Sequence, residues 1–82
     1  MDWLTLPPLA SLRAFAAFAE TGSVVAAGQA LNISHAAISQ HLRGLETRLG
    51  TTLLDRSGRA LALTEQGQRL ADALVLGFSA IG

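Results

Sequence analysis

A serine at position 34, apolar residues at 38, 42, 45 and 49, and a glycine at 50 leave the middle of this chain little conformational choice. The intervals of four, three and four place Ile38, Leu42, Leu45 and Leu49 along one side of a helix spanning residues 35–49. Ser34 is a good N-cap, because its hydroxyl accepts from a first-turn N–H that has no partner inside the helix. Gly50 ends the helix by taking the left-handed conformation that a side chain disfavours. With the stripe committed to a core, the opposite face must carry His35, Ala36, Ser39, Gln40 and Arg43.

The flanking segments follow the same logic. Ser23 caps a short helix that turns Val24, Ala27 and Leu31 inward, and Asn32-Ile33 forms the turn into the next helix. The small residues Ala27 and Gly28 sit where two helices must cross closely, so 23–49 reads as a helix-turn-helix. Upstream, Pro8 starts a helix with apolar positions Leu9, Leu12, Phe15, Ala16 and Ala19, which Thr21-Gly22 ends. Past Gly50, Leu53-Leu54 and Leu61-Ala62-Leu63 read as two short strands around the polar turn Asp55-Arg56-Ser57-Gly58-Arg59. Thr64 then caps a fourth helix, with Glu65 at the positive end of its dipole and Leu70, Ala71, Leu74, Phe78 and Ile81 along one side. The expected fold is mainly α: a winged helix-turn-helix with a three-helix core, a two-stranded wing and a C-terminal linker helix. Its divisions are a leader at 1–8, the winged domain at 9–63 and the start of a linker helix at 64–82.

Composition narrows the function. With 82 residues and no cysteine, a disulfide framework and Cys-based zinc or redox chemistry are excluded. His35 and His41 are six apart and fall on different helix faces, so no metal is expected. No nucleophile–base pair or phosphate loop stands out, and neither an enzyme nor a cofactor is expected. The longest apolar stretch, 73–81, is broken by Gly77 and too short to span a bilayer, and no basic leader precedes an apolar run. A soluble cytoplasmic protein is the expectation.

The net charge of zero runs against a nucleic-acid binder, but its distribution does not. Between Ser34 and Arg59 lie Arg43, Arg48, Arg56 and Arg59 against only Glu46 and Asp55. Every cation is arginine, whose planar fork suits phosphate and guanine. On the exposed helix face, Gln40 can pair with adenine, Arg43 with guanine or a phosphate, and Ser39 with several acceptors. Ala36 is small enough to approach a thymine methyl. Ser34 and the first helical N–H groups can hold a phosphate. Arg56 and Arg59 flank the expected wing tip, within reach of phosphates or a minor groove. The plainer reading makes these a solvated helix face and a turn held by Asp55–Arg59 or a similar surface pair. Glu46 is read as structural, pairing with an arginine, and His41 as a helix-flank residue. Trp3 is read as packing loosely or onto a partner.

A set of short motifs at matched spacing then places the chain in a family. It includes Leu12-Arg13-Ala14-Phe15, Ala19-Glu20-Thr21-Gly22-Ser23, Ala30-Leu31-Asn32-Ile33-Ser34 and Ala37-Ile38-Ser39-Gln40-His41-Leu42. It continues through Leu45-Glu46, Leu49-Gly50 and Leu53-Leu54-Asp55-Arg56 to Leu63-Thr64-Glu65-Gln66-Gly67. Over residues 9–67 the chain resembles the N-terminal domain of the LysR-type transcriptional regulators. The resemblance implies a bacterial transcription factor that binds double-stranded DNA at an imperfect inverted repeat as a dimer, or as a tetramer in the full-length protein. It places DNA contacts on Ser34, His35, Ala36, Ser39, Gln40, Arg43, Arg56 and Arg59. It also implies homodimer pairing through the last helix, by way of Leu70, Ala71, Leu74, Phe78 and Ile81, and a small-molecule effector sensed by a C-terminal domain absent from this chain. Gly28 departs from the pattern, standing where alanine is usual at a helix cost of about 1 kcal/mol. The competing expectation is a winged-helix module for protein association without DNA binding, favoured by the neutral charge and the apolar last helix.

Overall fold

The computed structural model describes residues 8–81, with side chains for 8–75. Residues 1–7 of the leader, Trp3 included, and the side chains of Phe78 and Ile81 lie outside the described residues. Four helices and two short strands follow one another: α1 (Leu9–Thr21), α2 (Val24–Leu31), α3 (His35–Leu49), β1 (Leu54–Asp55), β2 (Ala62–Leu63) and α4 (Glu65–Ile81). The strands pair antiparallel with Leu54 opposite Leu63 and Asp55 opposite Ala62. The expected winged helix-turn-helix is therefore the observed fold.

Capping residues set most of the boundaries. Pro8 precedes α1 at φ −58°, and its carbonyl accepts from Ser11 and Leu12 N–H at 3.0 and 3.2 Å. The Ser23 hydroxyl accepts from Ala26 N–H at 3.2 Å, and that of Ser34 from Ala37 N–H at 3.1 Å. Between these caps Asn32 takes a left-handed φ of 59°, which turns α2 into α3 within three residues. This turn explains Gly28. A Cβ there would stand 2.7 Å from the Ile33 carbonyl oxygen, so the turn closes directly onto the α2 backbone. The intrinsic helix penalty of glycine is offset by that close approach.

α1 touches α2, α3 and α4, and so buries more than a single stripe. Its buried residues are Ser11, Ala14, Phe15, Ala17 and Phe18. The expected stripe of Leu9, Leu12, Phe15, Ala16 and Ala19 is corrected accordingly: Phe15 is central, but Leu9 is 63% exposed and the others lie at the margin. Ile38, Leu42 and Leu45 of α3 pack against Phe15 and Phe18 in one cluster, closed from the wing side by Leu53 and Leu54. Leu49, expected in that stripe, is 41% exposed because the last turn of α3 runs past the edge of the core.

The start of α4 is fixed by several bonds to one threonine. Thr64 accepts from Gly67 N–H at 3.0 Å through its hydroxyl and donates that hydroxyl to the Thr52 carbonyl at 2.7 Å, while its own N–H donates to the Leu53 carbonyl at 3.0 Å. α4 thereby starts against the base of the wing. A Cβ on Gly67 would fall deep inside contact distance of the Leu53 carbonyl oxygen, so only glycine fits this first turn. Further along, Ala71 is buried in the chain's own core, and Leu70 and Leu74 are partly taken up by it. Ala71 is 4% exposed, and it lines the groove left between α1 and α4. The large apolar residue that α4 exposes, among those described, is Val75 at 61%.

Candidate nucleic-acid interface

Because Ile38, Leu42 and Leu45 hold α3 by one side, the opposite side is presented to solvent. His35, Ala36, Gln40 and Arg43 are exposed, and Ser39 is half-buried at the edge nearest the wing. The expected helix-face residues thus come together on one surface. Ser34 lies at the head of this surface, but its hydroxyl is engaged in capping. An anion at the helix start would meet the backbone N–H groups of the first turn, which have no acceptor within a helix.

The wing is tied to α3 through Glu46. One carboxylate oxygen accepts from Leu53 and Leu54 N–H at 2.9 and 3.1 Å. The other accepts from the Arg56 guanidinium at 3.1 Å, with side-chain exposures of 15% for Glu46 and 46% for Arg56. Partial burial alone would raise the Glu46 carboxyl. The hydrogen bonds from Leu53, Arg56 and Leu54, with the positive charge of Arg56, outweigh it and hold the group below the ordinary glutamate value. The expected glutamate–arginine pair is present, and its partner is Arg56.

The turn beyond β1 is shaped by Asp55, which accepts from the Ser57 hydroxyl at 2.6 Å and from Ser57 N–H at 2.9 Å. These bonds, the hydroxyl's first, hold the Asp55 carboxyl below its usual range. The anticipated Asp55–Arg59 pair does not form. Arg59 is exposed in the β1–β2 connection, and among the described residues neither it nor Arg43 makes an ion pair. Four arginines therefore belong to α3 and the wing, at 43, 48, 56 and 59; Arg56 is partly neutralised by Glu46, and Arg43 and Arg59 make no ion pair among the described residues.

Between α3 and the wing lies a notch of about 160 Å³, with Ser39, Arg43 and Arg56 among its lining residues. Elsewhere, Ser11 and His41 join α1 to α3 through a 3.1 Å hydrogen bond that accounts for both polar side chains. Among the described residues no group of three His, Cys, Asp or Glu could hold a metal, and no helix is long and apolar enough to cross a membrane.

Two features escaped the sequence reading. The Glu46 clamp on Leu53 and Leu54 had one available signal, a carboxylate beside a core stripe shortly before a strand pair with few partners of its own. The contact between Gly67 and Leu53 had another, a glycine just after a capping threonine, inside a helix that did not require it.

Residues 9–68 match the family described as bacterial regulatory helix-turn-helix protein, lysR family. The chain is 51% identical over 81 residues to the AhcY transcriptional activator HvrB of Rhodobacter capsulatus, covering 99% of this chain and 28% of that protein. It is 45% identical over 75 residues to the carbapenem-hydrolyzing beta-lactamase transcriptional activator of Serratia marcescens, covering 92% of this chain and 26% of that protein. It thus spans about a quarter of the length of these curated relatives. Among solved structures, the BenM DBD/benA site 1 DNA complex superposes with a TM-score of 0.83 at 30% identity, covering 90% of this chain and 83% of that one.

Proposed function

Because the chain belongs to the lysR family of bacterial regulatory helix-turn-helix proteins, we propose that it is the DNA-binding domain of a transcriptional regulator, with α3 in the major groove. The observation that carries this reading is the orientation of α3. Its core stripe faces Phe15 and Phe18, which leaves His35, Ala36, Gln40 and Arg43 for base edges and phosphates. The wing lies on the Glu46 side of the same helix and brings Arg56 and Arg59 to the backbone or the adjacent minor groove.

One such surface carries few cations, so binding draws on a second copy and an inverted-repeat site. Pairing through α4 is supported by the exposed Val75 and by a groove of about 500 Å³ between α1 and α4, where Ala16, Ala19, Ala71 and Val75 line it together with the polar Glu20, Gln68 and Asp72. In this reading Leu70, Ala71 and Leu74 contribute to the pairing face, together with Phe78 and Ile81, whose side chains lie outside the described residues. Tetramers and small-molecule effectors belong to a full-length regulator acting in the cytoplasm, with any effector bound by a domain other than this one. Titration of duplex DNA at increasing salt tests the proposal. Affinity should fall steeply as salt rises, and absence of binding to any duplex at low salt would overturn it.

A further inference from the structure

When a helix occupies a major groove and a wing reaches the neighbouring minor groove, the strand dividing the two grooves must pass between them. That strand presents phosphates. In this chain the corresponding gap between α3 and the wing is the notch bearing Ser39, Arg43 and Arg56, walled by the apolar side chains of Val24, Leu54 and Leu61. We propose that the notch seats a single DNA backbone phosphate between Arg43 and Arg56, so that Arg43 positions the duplex and base reading falls to its neighbours on α3. The inference rests on the DNA-binding reading above and sharpens it.

Three observations converge on the seat. First, its polar lining is two guanidinium groups and a hydroxyl, with no carboxylate among the lining residues. That donor set matches a phosphate and would leave a neutral ligand facing two like charges. Second, the two arginines are held differently. Arg56 is fixed by one bond to Glu46 at 3.1 Å, and a guanidinium has five N–H donors, so several remain for a phosphate oxygen. Glu46 is itself occupied by Leu53 and Leu54 N–H and does not line the notch. It positions Arg56 from behind. Arg43, three residues before Glu46 on α3, is exposed and makes no ion pair among the described residues, so its charge is available to an incoming anion. Third, the apolar walls exclude part of the water and strengthen the attraction at the seat. Gln40, by contrast, is exposed on α3 and does not line the notch, which leaves it to base edges.

The test uses a duplex selected from random sequence by the wild-type chain. Single methylphosphonates, which remove one phosphate charge each, are scanned along it. Losing a charged hydrogen bond of this kind weakens binding about 10-fold. One position per half-site should show that loss in the wild type and none in Arg43→Ala or in Arg56→Ala. Both variants should keep the wild-type base preference and lower the slope of log affinity against log salt by about 1 per bound copy. Arg56→Lys, which retains the charge, should keep most of the methylphosphonate sensitivity, which separates loss of the seat from disturbance of the wing. The seat is refuted if Arg43→Ala changes the preferred base at any position, or if the two alanine variants lose sensitivity at different phosphates. Either result leaves the DNA-binding reading standing, whereas no binding of any duplex by the wild type removes both.

Discussion

Replacing Glu46 by alanine removes the one acceptor shared by Leu53 N–H, Leu54 N–H and the Arg56 guanidinium. Both leucines are 2% exposed, so water reaches their amides poorly once the carboxylate is gone. An amide left in that state costs about 1–3 kcal/mol, and incomplete burial of the N–H groups favours the lower end. The Arg56 pair adds little, because its half-exposed guanidinium regains solvent at a cost of about 0–1 kcal/mol. The sum is a loss of about 2–4 kcal/mol, against a total of about 4–12 kcal/mol for a domain of this length. Glu46→Gln keeps an oxygen for the two amides but turns its NH2, a donor, toward Arg56, and should lose about half as much. Urea denaturation of the three proteins at neutral pH measures both differences. The sign of the pH dependence follows from the carboxyl's position below its ordinary value in the folded chain. Its contribution is complete above the unfolded value of about 4.3 and disappears as pH falls through the lower folded value. The wild-type advantage over Glu46→Gln should therefore shrink on acidification below about pH 5. A Glu46→Ala variant within about 0.5 kcal/mol of wild type at neutral pH, where ordinary surface changes fall, would refute the clamp.

Gly67→Ala should destabilise by about 1–3 kcal/mol by forcing α4 away from the Leu53 carbonyl, and thermal melting reads this directly; a gain in stability, as helix propensity alone predicts, would contradict the close approach. Leu45→Ala should cost about 2–5 kcal/mol and Leu49→Ala much less, since the first is 1% exposed and the second 41%; equal losses in chemical denaturation would put Leu49 back in the core. Ser34→Ala should cost about 1 kcal/mol through loss of the cap on α3; no measurable loss of stability would count against that cap.

Much of this was legible in the sequence because local rules and the global fold agree here. The caps Ser23, Ser34 and Thr64 and the glycine stops at 22 and 50 each act within a few residues, so their effect can be read from the chain. The same holds for Ile38, Leu42 and Leu45, whose spacing fixes the outward face of α3. What was not legible depends on elements meeting in space. The buried face of α1 is set by three neighbouring helices, and one stripe of its own does not specify it. The burial of Ala71 depends on how α4 leaves the wing, through Thr64 and Gly67. Glu46 and Arg56 are ten residues apart and meet only because β1 folds back beside α3. At the candidate site, periodicity identified the surface but gave Arg43 two roles, base or phosphate. The notch it shares with Arg56 favours the second.

The central claim is that the solvent face of α3 reads DNA sequence. The most direct measurement is selection of bound duplexes from a random pool by the wild-type chain and by Gln40→Ala, with the preferred base compared position by position. The account predicts a defined preference in the wild type, relaxed by Gln40→Ala at one position per half-site by about 1–3 kcal/mol and unchanged at the rest. An identical preference in both proteins would contradict it and would put the reading surface elsewhere.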